Sequence, residues 1–151
     1  MQRIPMAPFC LGLAGLIPFV WGAATYLIEP LAQWGIANFG ARFIGPYVQI
    51  YYGTVILSFM SGVLWGFSTK ASGAQAAAGY TLSVIPALWA FFMTTSGGLA
   101  SMSINLITGF VGLLILDFAF FRWGLTPEWW MSLRLLLTTV VVLCLAVGVA
   151  L

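Results

Sequence analysis

Five long, predominantly apolar segments constrain the fold of this chain more than any other feature. They cover residues 7–28, 47–68, 76–95, 99–121 and 128–150. A helix needs about 20 apolar residues to cross a bilayer core that is about 30 Å thick. Strands of a membrane barrel would be about 10 residues long and would alternate apolar with polar side chains. The segments therefore predict an all-α integral membrane protein, in which the whole chain forms a single bundle of about five transmembrane helices.

The scarcity of charged residues argues for the same class of protein. The chain has 151 residues, of which 62% are hydrophobic and only 5% are charged, and its mean hydropathy is +1.08. A soluble domain carries roughly 25% charged residues. Five basic and three acidic side chains could not solvate a globule of this size, so a soluble fold is excluded.

The basic residues predict how the bundle is oriented in the membrane. Five spans place the two termini on opposite sides, and only Arg42 falls on the C-terminal side. The other basic residues fall on the N-terminal side: Arg3, Lys70, Arg122 and Arg134. Because cytoplasmic loops carry an excess of Lys and Arg, we predict a cytoplasmic N-terminus and a periplasmic C-terminus.

A row of small residues runs along the second span. Thr54, Ser58, Gly62 and Gly66 recur every four residues and so share one face of a helix. Lipid tails are as apolar as leucine, so helices associate in a bilayer largely through close packing, which small residues permit. We predict that this row is a helix-packing interface. Its partner is either another helix of this chain, which we favour, or another protein or a second copy.

Two prolines fall inside predicted spans. Pro18 lies in the first span and Pro86 in the third, and each removes one helical hydrogen bond and tends to kink its helix. In transporters, such breaks can mark binding sites. Kinked helices without a transport role are commoner, so we predict structural kinks at both positions.

Tryptophans close to the ends of the spans are predicted to be interfacial anchors. Trp and Tyr concentrate at both membrane interfaces, and the candidates are Trp34, Trp65, Trp123, Trp129 and Trp130. Trp34 belongs to the long loop of residues 29–46, which we expect to lie in the headgroup zone with one short helical turn. Trp89 lies deeper and is expected to pack between helices.

Asp117 and Arg134 are predicted to form a buried ion pair. Asp117 lies five residues before Arg122, and Arg134 lies four residues after Trp130. At 1.5 Å per residue these side chains lie about 7 and 6 Å inward from the same membrane face, on helices joined by a short loop. Pairing lowers the cost of burying each charge. The pair is either a structural clamp, which we favour, or a proton site, an anion site or a contact for lipid phosphate.

Most constellations of catalytic residues are absent from the sequence. The chain has no histidine, which excludes His-based triads, His metal sites and His-ligated haem. It has neither a phosphate-binding Walker loop nor a dinucleotide-binding motif, and no basic patch for nucleic acid. We therefore predict no catalytic residue, metal or cofactor. The expected partners are membrane lipids and other integral membrane subunits.

Three segments carry a family resemblance. The stretches APFCLGLAGLIPF, YYGTVILSFMSGVLWGF and PEWWMSLRLLLTTVVVL, with an aspartate near the end of the fourth span, resemble the transmembrane protein 69-like family. Its bacterial members form the domain of unknown function 3429. The most specific matches are Tyr52, Gly53, Ile56, Leu57, Ser58, Phe59, Gly62, Trp65, Gly66 and Phe67, followed by Trp130, Leu133 and Arg134. The resemblance implies a small multi-pass protein of the bacterial inner membrane without implying an activity.

Three functions compete at this point. We favour a non-enzymatic accessory or assembly subunit that packs against a larger membrane complex. Occurrence of the family in bacteria and mitochondria points to a respiratory or photosynthetic electron-transfer complex. The first alternative is a binder or carrier of a small apolar ligand such as a lipid or quinone. The second is a small transporter with Asp117 as its proton site.

Overall fold

The computed structural model describes residues 3–151, and every regular element within this range is a helix. The helices are α1 (Met6–Ala14), α2 (Ile17–Leu27), α3 (Glu29–Phe39), α4 (Gly45–Ser68), α5 (Gly73–Ser83), α6 (Ile85–Met93), α7 (Leu99–Arg122) and α8 (Trp130–Ala150). The prediction of an all-helical chain with five helical segments suited to crossing a membrane is confirmed for the described residues. The helical segments long and apolar enough to cross a membrane are Met6–Leu27, Gly45–Ser68, Gly73–Met93, Leu99–Arg122 and Trp130–Ala150.

The first and third spans are each divided into two helices close to a proline. Pro18 lies in the first turn of α2, and Pro86 lies in the first turn of α6. The backbone N–H of Ala87, next to Pro86, donates a hydrogen bond of 2.8 Å to the hydroxyl oxygen of Ser61 on α4. A neighbouring helix therefore satisfies a backbone group beside the proline break, as is required where water is excluded.

The long loop contains more helix than the single short turn that the sequence predicted. It forms the 11-residue helix α3 and a 3-10 turn at Ala41–Phe43. Pro30 in the first turn is pre-organised for a helix, and Glu29 is favourably placed at the positive end of the helix dipole. Gly40 follows the last residue with a φ of 92°, a conformation that glycine adopts without a steric penalty and that ends the helix.

Helix α4 lies at the centre of the bundle and contacts α2, α5, α6, α7 and α8. Its Leu57 and Leu64 are completely covered by protein. A buried polar link adds to this apolar packing. The side-chain amide of Gln49 donates to the backbone oxygens of Phe19 at 2.9 Å and Cys144 at 3.2 Å. Gln49 thereby ties α4 to both α2 and α8.

The small-residue row on α4 is mostly not packed within the chain. A Cβ atom built at Gly62 or Gly66 would meet nothing within 4 Å, and Ser58 is exposed. Only Thr54 reaches another helix, because its hydroxyl lies 2.8 Å from that of Thr94, at the C-terminal end of α6. The favoured prediction of an intrachain partner is therefore wrong for Gly62 and Gly66.

The close approaches to α4 use other glycines, namely Gly53 of α4 itself and glycines on the neighbouring helices. A Cβ at Gly22 of α2 would lie 2.5 Å from the Gln49 side chain, and one at Gly109 of α7 would lie 2.9 Å from that of Leu57. Two helices can approach closely when either one carries the small residue. A pattern read along α4 alone could not show which glycines the close approaches use.

Candidate functional site

The hairpin of α7 and α8 brings Asp117 and Arg134 into direct contact. Arg134 Nε donates to Asp117 Oδ2 over 2.7 Å, and the side chains are 6% and 0% exposed, respectively. The two helices are antiparallel and joined by a short connection, so residues at equal distances from the connection lie at equal depth. The structure thus confirms the ion pair between Asp117 and Arg134, which the sequence predicted from the similar depth of the two residues in the membrane.

Trp130 is the third member of this cluster. Its indole Nε1 donates to Asp117 Oδ1 over 3.0 Å, so both carboxylate oxygens of Asp117 accept a hydrogen bond. The Trp130 ring also packs edge-on against Phe67 of α4, with centroids 5.1 Å apart. The sequence assigned Trp130 an anchoring role only. Its spacing of four residues from Arg134, which puts both on one helix face, was the signal that could have placed it in the site.

Two buried polar atoms next to the ion pair lack a hydrogen-bond partner among residues 3–151. They are Arg134 Nη2 and Thr138 Oγ1, and both residues are 5% exposed. Thr138 lies four residues after Arg134 and so occupies the same face of α8. Sequence reasoning missed Thr138, although its spacing from Trp130 and Arg134 repeats every four residues. Unpaired buried groups are uncommon and call for an explanation.

Arg134 and Thr138 both line a cavity of about 520 Å³. Residues from α1, α2, α4, α7 and α8, together with the connection before α8, form its walls, which are almost entirely apolar. Pockets for small organic molecules commonly measure about 300–1,000 Å³. Along α8 the cavity extends from Trp129 to Val141, which corresponds to roughly 18 Å of helix. The cavity is therefore large and long enough for a single apolar chain.

The cavity opens on the outer surface of the bundle. Leu11 of α1 and Phe59 of α4 both line it, and they are 73% and 64% exposed, respectively. Both lie on predicted membrane spans, so this opening would face lipid rather than water. A molecule dissolved in the bilayer could enter without crossing an aqueous phase.

The arrangement is an apolar cavity beside an electrically balanced ion pair. An arginine side chain can only donate, whereas a threonine hydroxyl can donate or accept. The charges of Asp117 and Arg134 offset each other at contact distance. Within residues 3–151 there is no cluster of three or more His, Cys, Asp or Glu side chains that could hold a metal ion. The described geometry is suited to binding through many apolar contacts.

The remaining predicted anchors are Trp34, Trp65, Trp123 and Trp129, and their anchoring role stays a prediction. Trp34 is 53% exposed on α3, and Trp65 is 51% exposed near the end of α4, where it packs on Tyr80 at 4.6 Å between centroids. Trp123 follows the end of α7, and Trp129 precedes α8. Trp129 also lines the cavity.

Comparisons with known proteins extend over nearly the whole chain. A family model described as a protein of unknown function (DUF3429) matches residues 4–150. Transmembrane protein 69 from Xenopus tropicalis is 31% identical over 148 residues, which represent 96% of this chain and 54% of that protein. The chain thus spans about half the length of this curated relative. No solved structure matches the chain.

Proposed function

From the premise that the chain belongs to the DUF3429 family of transmembrane protein 69-like proteins, we propose that it binds an elongated apolar small molecule. The ligand occupies the cavity between α1, α2, α4 and α8. The observation that carries this proposal is the apolar cavity of about 520 Å³, which opens on the outer surface of the bundle at the exposed side chains of Leu11 and Phe59. The proposed role is non-enzymatic.

The walls of the cavity favour an apolar body for the ligand. Phe19, Ile56 and Met60 are among the side chains that line it. Burying an apolar chain against such walls replaces contacts with lipid tails by contacts of similar polarity. Affinity must therefore come from close packing and from the few polar groups, as it does between helices in a bilayer.

The ion pair gives the polar end of the cavity a defined geometry. Asp117 accepts from both Arg134 and Trp130 and so fixes the orientation of the guanidinium and of the indole. Side chains held in this way lose little further freedom when a ligand arrives. We propose that the pair is the structural clamp that the sequence favoured and that it holds the Arg134 side chain in place at the wall of the cavity.

Filling the cavity is expected to abolish binding. We predict that the double variant Ile56→Phe/Val63→Phe, which places two larger rings on the α4 wall, loses most of the binding of a dibrominated fatty-acid methyl ester. Bromine atoms near Trp129 and Trp130 quench their fluorescence. Exposed tryptophans such as Trp34 are quenched by ester dissolved in the detergent or lipid, so occupancy of the cavity is measured by the part of the quenching that this variant loses and its control retains. Phenylalanine adds no fluorescence that would interfere.

The matched control is Ile104→Phe/Val111→Phe on α7. It makes the same two substitutions at the same spacing, but Ile104 and Val111 are 48% and 44% exposed and lie outside the cavity lining. This control should retain the quenching of the native protein. Equal quenching in both double variants would show that the ester does not occupy the cavity and would refute the proposal.

A second candidate function is the accessory or assembly subunit that the sequence favoured. The observation supporting it is that Gly62 and Gly66 face outward with open space around them, so a helix of another membrane protein could approach closely there. Native protein extracted in mild detergent should then migrate with a larger complex at fixed stoichiometry. Loss of that co-migration in Gly62→Leu, but not in Gly112→Leu, would support this role.

We further propose that the protein resides in the bacterial inner membrane with its N-terminus in the cytoplasm. Arg42 is the one basic residue predicted on the opposite side, so the charge bias favours this orientation. An alkaline phosphatase domain fused after Leu151 should be active, because it would lie in the periplasm. Fluorescence of a reporter that matures only in the cytoplasm, fused at the same position, would contradict the orientation.

A further inference from the structure

We propose that Arg42 binds the phosphate of an anionic glycerophospholipid, one acyl chain of which lies in a groove on the outer surface of the bundle. The groove, called the Arg42 groove below, measures about 310 Å³. Pro18 of α2 lines it together with Arg42, Phe43, Val48, Tyr51 and Val55. It is separate from the cavity of the proposed function, with which it shares only the lining residue Tyr52.

Two aromatic rings locate the guanidinium of Arg42 at the groove. Its Cζ lies 5.0 Å from the ring centroid of Phe43 and 5.7 Å from that of Tyr51, and both residues line the groove. Arg42 is exposed, and Phe43 and Tyr51 are 45% and 53% exposed. The charged group is therefore next to the groove and accessible to a lipid head.

Arg42 lies at the depth of the lipid heads. It precedes Gly45, the first residue of α4, by three positions, and α4 is one of the helices long and apolar enough to span a membrane. The polar heads of a bilayer lie just outside the hydrocarbon layer that such a helix crosses. A phosphate can therefore meet the guanidinium while its acyl chains stay in the hydrocarbon.

No carboxylate of the described chain neutralises Arg42. The ion pair within residues 3–151 joins Asp117 to Arg134, which lie at the other end of the bundle. The carboxylate at the same end as Arg42 is that of Glu29, and it accepts a hydrogen bond of 3.2 Å from the side-chain amide of Gln33. Arg42 therefore adds a positive charge that an anionic head can offset.

The chemistry of the guanidinium favours a phosphate as the anionic group. Its planar set of N–H donors matches two oxygens of one phosphate, and such bidentate bonds are stronger than neutral hydrogen bonds. A zwitterionic lipid brings a positive charge of its own beside its phosphate. A lipid with a net negative charge, such as phosphatidylglycerol, therefore complements Arg42 better than phosphatidylcholine does.

Helix α2 holds the turn that carries Arg42. Trp21 Nε1 donates to the backbone oxygen of Phe43 over 2.7 Å, and the backbone N–H of Gly45 donates to Thr25 Oγ1 over 2.7 Å. Both donors and acceptors lie within three residues of Arg42 in the turn or on α2. The backbone of the site is thus ordered before a lipid arrives, which lowers the entropic cost of binding.

The body of the groove suits an acyl chain. Val48, Tyr51 and Val55 recur every three or four residues and so share one face of α4, along about 10 Å of helix. Val55 is 61% exposed and lies within a membrane span, so this part of the groove faces lipid tails. A chain attached to a phosphate at Arg42 can follow this face into the hydrocarbon.

Native mass spectrometry, which counts the lipids that stay bound when detergent is removed, tests the inference. The purified protein is equilibrated with equal amounts of dioleoyl phosphatidylglycerol and dioleoyl phosphatidylcholine, which share their acyl chains and differ in head charge. We expect phosphatidylglycerol to be retained about 5-fold more than phosphatidylcholine, the effect of one basic residue. Arg42→Gln should abolish this preference, and Arg42→Lys should keep part of it, because the charge remains and the planar donor set is lost.

The matched control for the charge is Arg122→Gln. Arg122 is also an exposed arginine, but it ends α7 and lies outside the groove lining. The control changes the net charge by the same amount and should keep the preference for phosphatidylglycerol. Equal losses in Arg42→Gln and Arg122→Gln would show that only the net charge of the protein matters and would overturn the inference.

The groove itself is tested by Val55→Phe, which should lower the retention of phosphatidylglycerol about 5-fold or more by crowding the acyl chain. Val111→Phe is its control, because Val111 is 44% exposed on α7 and lies outside the groove lining. Equal retention in these two variants, or equal retention of both lipids by the native protein, would also overturn the inference. The proposed function stands or fails separately, through the quenching experiment on Ile56→Phe/Val63→Phe.

Discussion

Replacing Asp117 with asparagine, or Arg134 with leucine, is expected to lower the free energy of unfolding by about 3–5 kcal/mol, the range for breaking a buried ion pair. Each change leaves one charge buried without its partner, because the two side chains are 0% and 6% exposed. Asp117→Asn also weakens the acceptor of the Trp130 indole, which lies 3.0 Å away. Reversible unfolding of the purified protein in detergent measures both losses.

The double variant Asp117→Asn/Arg134→Leu should recover part of the loss, because it removes both charges together. The non-additivity of the double-mutant cycle gives the coupling between the two side chains. Arg122→Leu is the control, since Arg122 is an exposed arginine at the end of the same helix as Asp117 and should change the stability by less than about 0.5 kcal/mol. Strictly additive losses would show that the pair does not interact.

The same variants separate a clamp from a proton site. If the ion pair only holds α7 and α8 together, the folded double variant should still bind the dibrominated ester in its cavity. If Asp117 carries a proton during transport, the double variant should fold and bind but lose all transport in proteoliposomes. A structural clamp therefore predicts that the double variant still binds the ligand, whereas a proton site predicts that it binds but does not transport. One purified double variant distinguishes the two hypotheses.

Gly109→Leu is expected to destabilise the protein by about 1–3 kcal/mol or more through overpacking. A Cβ at Gly109 would lie 2.8 Å from the Trp89 ring and 2.9 Å from Leu57. The ring cannot move away easily, because Trp89 Nε1 donates to the backbone oxygen of Asn105 over 2.7 Å. The close contact between α4, α6 and α7 would therefore open.

Gly112→Leu on the same helix is the matched control for this variant. A Cβ at Gly112 would meet nothing within 4 Å, so the change should leave stability unchanged or raise it slightly through better helix propensity. Gly62→Leu should behave like Gly112→Leu in unfolding experiments for the same reason. A loss of stability in Gly62→Leu comparable to that in Gly109→Leu would mean that Gly62 is packed, contrary to the structure.

The sequence alone determined the class of fold and the approximate spans. The hydropathy of a segment is a local property of the sequence, and the thickness of the bilayer sets the length of about 20 residues over which the segment must be apolar. Both can be assessed without knowledge of the neighbouring helices. The depth of Asp117 and Arg134 was predictable for a similar reason. Their helices follow each other in the chain, so the rise per residue and one short connection fix their relative height.

Only the tertiary structure decided which faces meet. The row at Gly62 and Gly66 has the spacing of a packing interface, yet these glycines face outward and the neighbours supply the small residues at Gly22 and Gly109. The cavity was equally hidden from the sequence, because its walls come from spans far apart in the chain. The spacing of small and apolar residues along a helix can be recognised from that helix alone. Which side of the helix is covered depends on the shapes of the helices that pack against it, and those shapes are determined by residues in all five spans.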